Sequence, residues 1–279
     1  IEQQLEQAKQ RFDVGLIAIT DVHEAQAAFD LAKAREIVAN NQLASSQEAI
    51  YEITAQAIDA VAPLGARIPL ASPDPADIGH WGQVALEQNF TLLAAQFAEQ
   101  AAREGVSLQR AGHYPTLDLV ASLSRAEDDG GVSGEIDVED RTVGLQFTLP
   151  LYLGGAVTSR TREAAYLLTQ AREEVESQRR ATLRQARDAY LAVVAGINSV
   201  NALEQARISA QSALDATQAG FEVGTRTTVD VLAAQSDLFA AQREYAQARY
   251  DYILNLLRLK QASGLLVPAD IVEINRWLE

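Results

Sequence analysis

The polar and charged residues whose types and spacing are most distinctive stand in two short stretches, Thr20-Asp21 and Thr225-Arg226-Thr227-Thr228-Val229-Asp230. A threonine followed closely by an aspartate is the pattern of a helix start. There the hydroxyl and carboxylate bond unpaired N–H groups, and the carboxylate meets the positive end of the helix dipole. Helix capping alone accounts for Asp21 and Asp230. Nothing resembling a catalytic group accompanies them. His23, His80 and His113 lie far apart without the spacing of metal ligands, which suits surface or interfacial histidines. Gly154-Gly155 lacks the Lys-Ser/Thr that completes a phosphate loop and fits the exit from a strand into a helix. The absence of Cys excludes disulfides, thiolate zinc sites and Cys nucleophiles, and it suits a periplasmic or extracellular address. No nucleophile motif is present, so the chain is expected to be no enzyme and to carry no cofactor or metal.

The elements that position the two acidic stretches are long helices. From Val157 to Gln218 the chain has no Pro and one Gly, Gly196. At about 1.5 Å per residue that run makes a rod of roughly 90 Å, which no compact single-core domain needs. Its apolar residues, among them Leu168, Val175, Leu183, Tyr190, Val193, Ile197, Val200 and Leu214, recur at three- and four-residue steps. The seam is coiled-coil-like, and its many alanines allow close approach of neighbours. Further helices are expected over about Val22–Ala60, Trp81–Arg110 and Val229–Ala262. The Pro-rich stretch between Ala62 and His80 has no helical period and interrupts the rod.

Laying Arg11–Gln26 over Gly220–Gln235 reveals an internal repeat. Phe12/Phe221, Val14/Val223, Gly15/Gly224, Asp21/Asp230, Val22/Val231, Ala25/Ala234 and Gln26/Gln235 coincide. Each copy falls between two helices, with Gly where a left-handed residue ends a helix most easily. Two segments depart from the helical rule. Over Tyr114–Ser124, Leu117, Leu119, Ala121 and Leu123 alternate with Thr116, Asp118, Ser122 and Ser124. Over Thr142–Leu151, Val143, Leu145, Phe147, Leu149 and Leu151 alternate with Thr142, Gly144, Gln146 and Thr148. Two such runs with Tyr114 and Tyr152 at one end and an acidic loop (125–141) between them have the signature of outer-membrane strands. A soluble two-sided sheet is the other reading. A lone hairpin is barely stable in water and requires partners in either case.

Composition bounds the function. The 38 acidic residues against 23 Lys+Arg give a net charge of −15, which disfavours nucleic acid as a partner. With 48% hydrophobic residues the chain is expected to fold rather than remain a disordered acidic tail. No window reaches the ~18 apolar residues of a transmembrane helix, and no signal peptide stands at the N-terminus. A chain that opens Ile-Glu-Gln-Gln and contains no Met is expected to be preceded by a further segment.

Taken together, RFDVGLIAITDV, GFEVGTRTTVDVL, HYPTLDLVASLS and LQFTLPLYLGGAV occur in an order that resembles the TolC family of trimeric outer-membrane efflux ducts, in its TolC-like branch. The resemblance covers essentially the whole chain. It implies a mainly α fold with a small β part: antiparallel coiled-coil hairpins forming an α-barrel, and a β-hairpin contributing to a trimeric outer-membrane barrel. In the family two helix–strand–strand–helix repeats build each protomer. This chain matches the end of the first and all of the second, so the N-terminal part of the family pattern is missing. Three copies supply six strands where the family uses twelve.

The implied organisation is a first hairpin tip and helix (1–61), an irregular equatorial segment (62–80), an upper helix (81–111) and the β-hairpin with its external loop (112–153). A second hairpin with its tip at 220–229 (154–263) and a C-terminal equatorial segment (264–279) complete it.

The resemblance also assigns roles at the tips. Asp230 matches an acid that, repeated three times, forms a cation-selecting ring at the periplasmic mouth, a general selectivity device. A second family acid falls on Ala233, halving the ring's charge. Arg226 matches an arginine that latches the mouth shut against Thr20 and Asp21 of a neighbouring hairpin, although an ordinary solvated Arg reads the same in sequence. The family tyrosine that bonds the same acid is Phe221 here, so one latch contact is lost. Val14-Gly15-Leu16 and Val223-Gly224-Thr225 match the tips that meet a periplasmic adaptor, and through it an inner-membrane pump. The function implied is a passive exit duct for efflux or type I secretion, a homotrimer set in outer-membrane lipid and reaching into the periplasm. The competing readings are a periplasmic adaptor, which lacks here its Gly- and Val-rich β half, and a structural coiled coil without a channel, which leaves the apolar strand faces unexplained.

Overall fold

The computed structural model describes residues 1–58, 60–128 and 136–278. Its elements in chain order are α1 (Glu2–Asp13), α2 (Ile19–Thr54), α3 (Ile78–Gln88), α4 (Phe90–Ala111), β1 (Thr116–Asp128), β2 (Ile136–Thr148), α5 (Ala156–Glu222), α6 (Thr228–Ala262) and α7 (Pro268–Asn275). The chain is therefore mainly α with a single two-stranded sheet among the described residues. No described helix is long and apolar enough to cross a membrane. The chain divides into two compact units, one of Ile1–Ala85 with Gln185–Glu279, the other Leu86–Arg184.

In the first unit the helices pack through three apolar clusters. Leu5, Ala8, Ala25 and Leu232 join α1, α2 and α6, while Leu214, Val231 and Leu238 join α5 and α6. The third holds the irregular segment in place, with Leu64 and Trp81 packed among Val193, Val200, Ala248, Tyr252, Ile253 and Leu259. Tyr252 is fully buried, its hydroxyl accepting from the Ala71 N–H at 3.0 Å and donating to the Ala71 carbonyl at 3.1 Å. Burial pushes its phenol up, against the pull of the Ala71 N–H. Gly65 donates its N–H to the Trp277 carbonyl at 2.8 Å, and Arg249 donates to the Gly65 carbonyl. A segment without helical period is thus satisfied by side chains and by the backbone of the C-terminal residues after α7.

α7 begins at Pro268 and is fastened to α6 by the Lys260–Asp270 ion pair, while the other Asp270 oxygen accepts the Val267 N–H at 2.8 Å. Burial opposes the Asp270 charge, but the Lys260 hydrogen bond, the Val267 N–H and the Lys260 charge outweigh it and hold the carboxyl below its usual range.

In the second unit β1 and β2 pair antiparallel in a register that sets Leu117 opposite Phe147, Leu119 opposite Leu145 and Ala121 opposite Val143. Because side chains alternate, these residues share one face. The other face carries Thr116/Thr148, Asp118/Gln146, Ser122/Thr142 and Ser124/Asp140. The apolar face is bare: Leu119, Val143 and Leu145 are each 73–75% exposed. Glu99 of α4 holds Arg103 at 2.8 Å and Arg172 of α5 at 3.4 Å, exposed pairs worth about 0–1 kcal/mol each.

Three expectations are corrected. The helix expected over Trp81–Arg110 breaks at Asn89, whose backbone is extended and whose side-chain oxygen accepts the Thr91 and Leu92 N–H groups at 3.0 and 3.1 Å. A short amide side chain that can cap competes with helix continuation, and apolar period alone does not show it. β1 begins and ends later than Tyr114–Ser124 and β2 begins and ends earlier than Thr142–Leu151: both reach into the acidic stretch, with Arg125 opposite Glu139, while Tyr114, Leu149, Leu151 and Tyr152 lie outside them. No Pro interrupts the ladder there, whereas Pro150 cannot donate to it. The middle of the acidic loop, 129–135, lies outside the described residues. Finally, the first long helix spans Ile19–Thr54 rather than Val22–Ala60, closing on Ala55 in a left-handed conformation (φ 53°).

Candidate functional site

The repeat seen in sequence is a repeat in three dimensions. At the first tip, Val14, Gly15 and Leu16 donate N–H groups to the carbonyls of Gln10, Phe12 and Arg11 at 3.3, 2.8 and 2.9 Å. At the second, Val223, Gly224 and Thr225 donate to Ala219, Phe221 and Gly220 at 3.3, 3.1 and 2.8 Å. Gly15 (φ 75°) and Gly224 (φ 77°) take the left-handed conformation that the turn demands, and Gly adopts it without the Cβ penalty. Val14, Leu16 and Val223 are 70–75% exposed, so each tip presents apolar residues on a backbone of fixed shape.

The side chains then diverge. Thr227 caps α6 through a reciprocal pair: its hydroxyl accepts the Asp230 N–H at 3.2 Å, and Asp230 Oδ2 accepts the Thr227 N–H at 2.9 Å and its hydroxyl at 3.0 Å. The Thr227 N–H, then its hydroxyl, and lastly the Arg226 charge hold the Asp230 carboxyl below its usual range, against a small opposing effect of burial. The other carboxylate oxygen, Oδ1, makes no hydrogen bond among the described residues. α2 starts at Ala18, which has no side-chain cap, with Asp21 in its first turn. Ala233 is exposed one turn beyond the cap.

Arg226 lies against its own turn. A Cβ on Gly220 would stand 2.7 Å from Arg226 Cγ, so the missing side chain is what lets the Arg226 stem rest there. Its guanidinium makes no hydrogen bond to Thr20 or Asp21 of the same chain. Phe221 is occupied differently from the sequence expectation: the Arg11 guanidinium lies 4.2 Å from its ring centroid, a cation–π contact between the two tips. A groove of about 620 Å³ runs beside it, lined by Gln7, Gln10, Val14, Gln218 and Thr228 among others.

Sequence reasoning missed Arg11 and Gly220. A signal existed, because the repeat lays Gly220 over Arg11, a residue without a side chain over one of the longest. The histidines remain apart, His80 touching Trp81 edge-on at 6.4 Å between centroids. Among the described residues no group of three or more His, Asp or Glu side chains is placed to hold a metal.

Residues 1–56 and 81–265 match the family described as "Outer membrane efflux protein". The chain is 41% identical over 283 residues to the outer membrane protein TolC of Vibrio cholerae, covering all of this chain and 64% of that protein. It is 29% identical to the alkaline protease secretion protein AprF of Pseudomonas aeruginosa, covering 96% of this chain and 56% of that one. Among solved structures, the Campylobacter jejuni CmeC outer membrane channel superposes with a TM-score of 0.74 at 15% identity, over 100% of this chain and 60% of that one, a likeness of fold. The chain thus spans less than two thirds of the length of these relatives.

Proposed function

As this chain belongs to the outer membrane efflux protein family, we propose that it is part of a passive outer-membrane and trans-periplasmic exit duct, trimeric and gated at its hairpin tips. The observation that carries the reading is the sheet. Leu117, Leu119 and Ala121 stand opposite Phe147, Leu145 and Val143 on one bare face, with Thr, Ser, Asp and Gln on the other. Water does not favour such a face, whereas lipid on one side and a polar lumen on the other satisfy both.

The tips supply the gate. Arg226, its stem on Gly220, would offer its charge to Thr20 and Asp21 of a neighbouring hairpin in an adjacent protomer. Asp230, one carboxylate oxygen committed to the cap and the other open, forms with its two symmetry copies the cation-selecting ring. Val14-Gly15-Leu16 and Val223-Gly224-Thr225 offer two equivalent turns to a periplasmic adaptor, which couples the duct to an inner-membrane pump. The relatives' names, an outer membrane protein and a protease secretion protein, favour an exported cargo and an outer-membrane location.

The test is electrophysiological. The complete protein, purified and placed in planar bilayers, should form channels as a threefold oligomer, and Arg226→Ser should raise single-channel conductance by releasing the latch. A monodisperse monomer in detergent without channel activity overturns the duct, and unchanged conductance in an intact trimer removes Arg226 from the gate.

A further inference from the structure

Both tryptophans of the sequence, Trp81 and Trp277, line one cavity. It opens where residues 69–74 cross α6 and α7, with a volume of about 380 Å³, within the range of small-molecule sites. Its aromatic walls are held in place. Trp81 is 7% exposed and donates its indole N–H to the Pro75 carbonyl at 2.9 Å. Tyr252 is fully buried, with its hydroxyl committed to Ala71. These two side chains therefore form the packed floor of the cavity, with their polar atoms satisfied. Trp277 is half-buried, and its indole N–H has no partner among the described residues.

The ionisable lining is unbalanced. Lys260 and Asp270 neutralise one another, and the second Asp270 oxygen is taken by the Val267 N–H. Asp74 and Glu273 also line the cavity, both exposed and neither with a hydrogen bond or ion pair on its carboxylate among the described residues. Two uncompensated carboxylates beside the half-buried Trp277 ring present negative potential from the acids and from the open ring face alike. An anion meets repulsion from both carboxylates, and a neutral molecule gains only apolar contact. A cation with an apolar body gains both.

We propose that this cavity binds a small organic cation, an amine or quaternary ammonium carrying an aromatic or aliphatic group. Its charge faces Asp74 and Glu273 and its apolar body lies against Trp277 and the part of Trp81 left open. The site stands apart from the hairpin tips and does not depend on the duct reading.

Because both tryptophans line the site, their emission reports its occupancy. The full chain in detergent, titrated with benzyltrimethylammonium, should show a saturable change in tryptophan fluorescence. Benzyl alcohol and 3-phenylpropionate, at the same concentrations, should bind much more weakly or not at all. Asp74→Asn combined with Glu273→Gln keeps both reporters and should weaken the affinity about tenfold, as expected for two exposed charge contacts. Trp277→Leu, which retains apolar volume, should weaken it about threefold to thirtyfold, read through Trp81. No saturable change with the cation overturns the site. Equal binding of the alcohol or the carboxylate, or undiminished affinity in the double variant, overturns the assignment of its ligand.

Discussion

The two hairpin tips share a backbone and differ in chemistry. Equivalent N–H donors reach equivalent carbonyls, and Gly15 and Gly224 differ by only 2° in φ. Yet α6 opens with the Thr227–Asp230 cap, while α2 opens on Ala18 with none. At the first tip a long cation, Arg11, reaches across to Phe221; at the second, the matching Gly220 makes room for Arg226. Turn geometry is fixed by a few backbone demands that both copies must meet, whereas capping and charge are free to specialise. The second tip holds a carboxylate fixed in a cap, and the first holds the arm that reaches its sister.

The shared backbone makes the strongest prediction. Gly15→Ala and Gly224→Ala should each cost about 1–2 kcal/mol of local stability, because a left-handed Cβ is strained even where space is open. Nothing lies within 4 Å of a Cβ at either position, so the two losses should be equal. Native-state hydrogen exchange at the tip amides measures both, and a clear inequality breaks the equivalence.

The next contrast is electrostatic. Asp230→Asn should weaken block by trivalent cations about tenfold or more and reduce cation selectivity in planar bilayers, while Asp21→Asn should change either far less. Ala233→Asp should strengthen the block. Selectivity unmoved by the Asp230 and Ala233 substitutions returns Asp230 to a purely capping role.

Capping supplies a smaller difference of opposite sign at the two tips. Thr227→Ala should destabilise the start of α6 by about 1 kcal/mol, and Ala18→Ser, which offers α2 the missing hydroxyl, should stabilise its start by up to a similar amount. The Asp230 contribution also depends on pH. Its folded carboxyl titrates below the usual 3.8, so its stabilisation is fully present above that value and is lost as pH falls through the lowered one. Tip exchange rates of the parent and of Asp230→Asn should therefore converge in acid.

The smallest effect is expected of Arg11→Ala, about 0.5–1 kcal/mol for a partly exposed cation–π contact. Protection should fall at both tips, since the contact joins them. Loss confined to the first tip would mean that Arg11 acts only within its own hairpin.

Much of this was legible in the chain. The three- and four-residue apolar period showed α5 and α6, and strict alternation showed which residues of 117–123 and 143–147 share a face. The coincidence of Gly15 with Gly224 located both turns. The strand limits were not legible, because the ladder continues through charged residues that alternation of apolar side chains cannot register. Nor was the break at Asn89, where one side chain capping two N–H groups outweighs a favourable period on either side. Asp230 was legible as a candidate, but the sequence left its cap and its charge as competing explanations. The structure shows one oxygen bonded in the cap and the other without a hydrogen bond among the described residues.

What the sequence determined by itself is whatever depends on neighbours within a few residues: helical period, strand alternation, left-handed glycines, and the repeat that brings them twice. Only the tertiary structure decided which distant side chains meet. Arg11 lies over Phe221, the Tyr252 hydroxyl binds Ala71, and Trp81 and Trp277 line one cavity. Each of these joins residues about 180 or more positions apart, brought together by helices packing through Leu5, Ala25, Leu232 and Val200 rather than by any local pattern. A period of 3.6 specifies which face of a helix is apolar; which partner covers that face depends on the packing of all of them together.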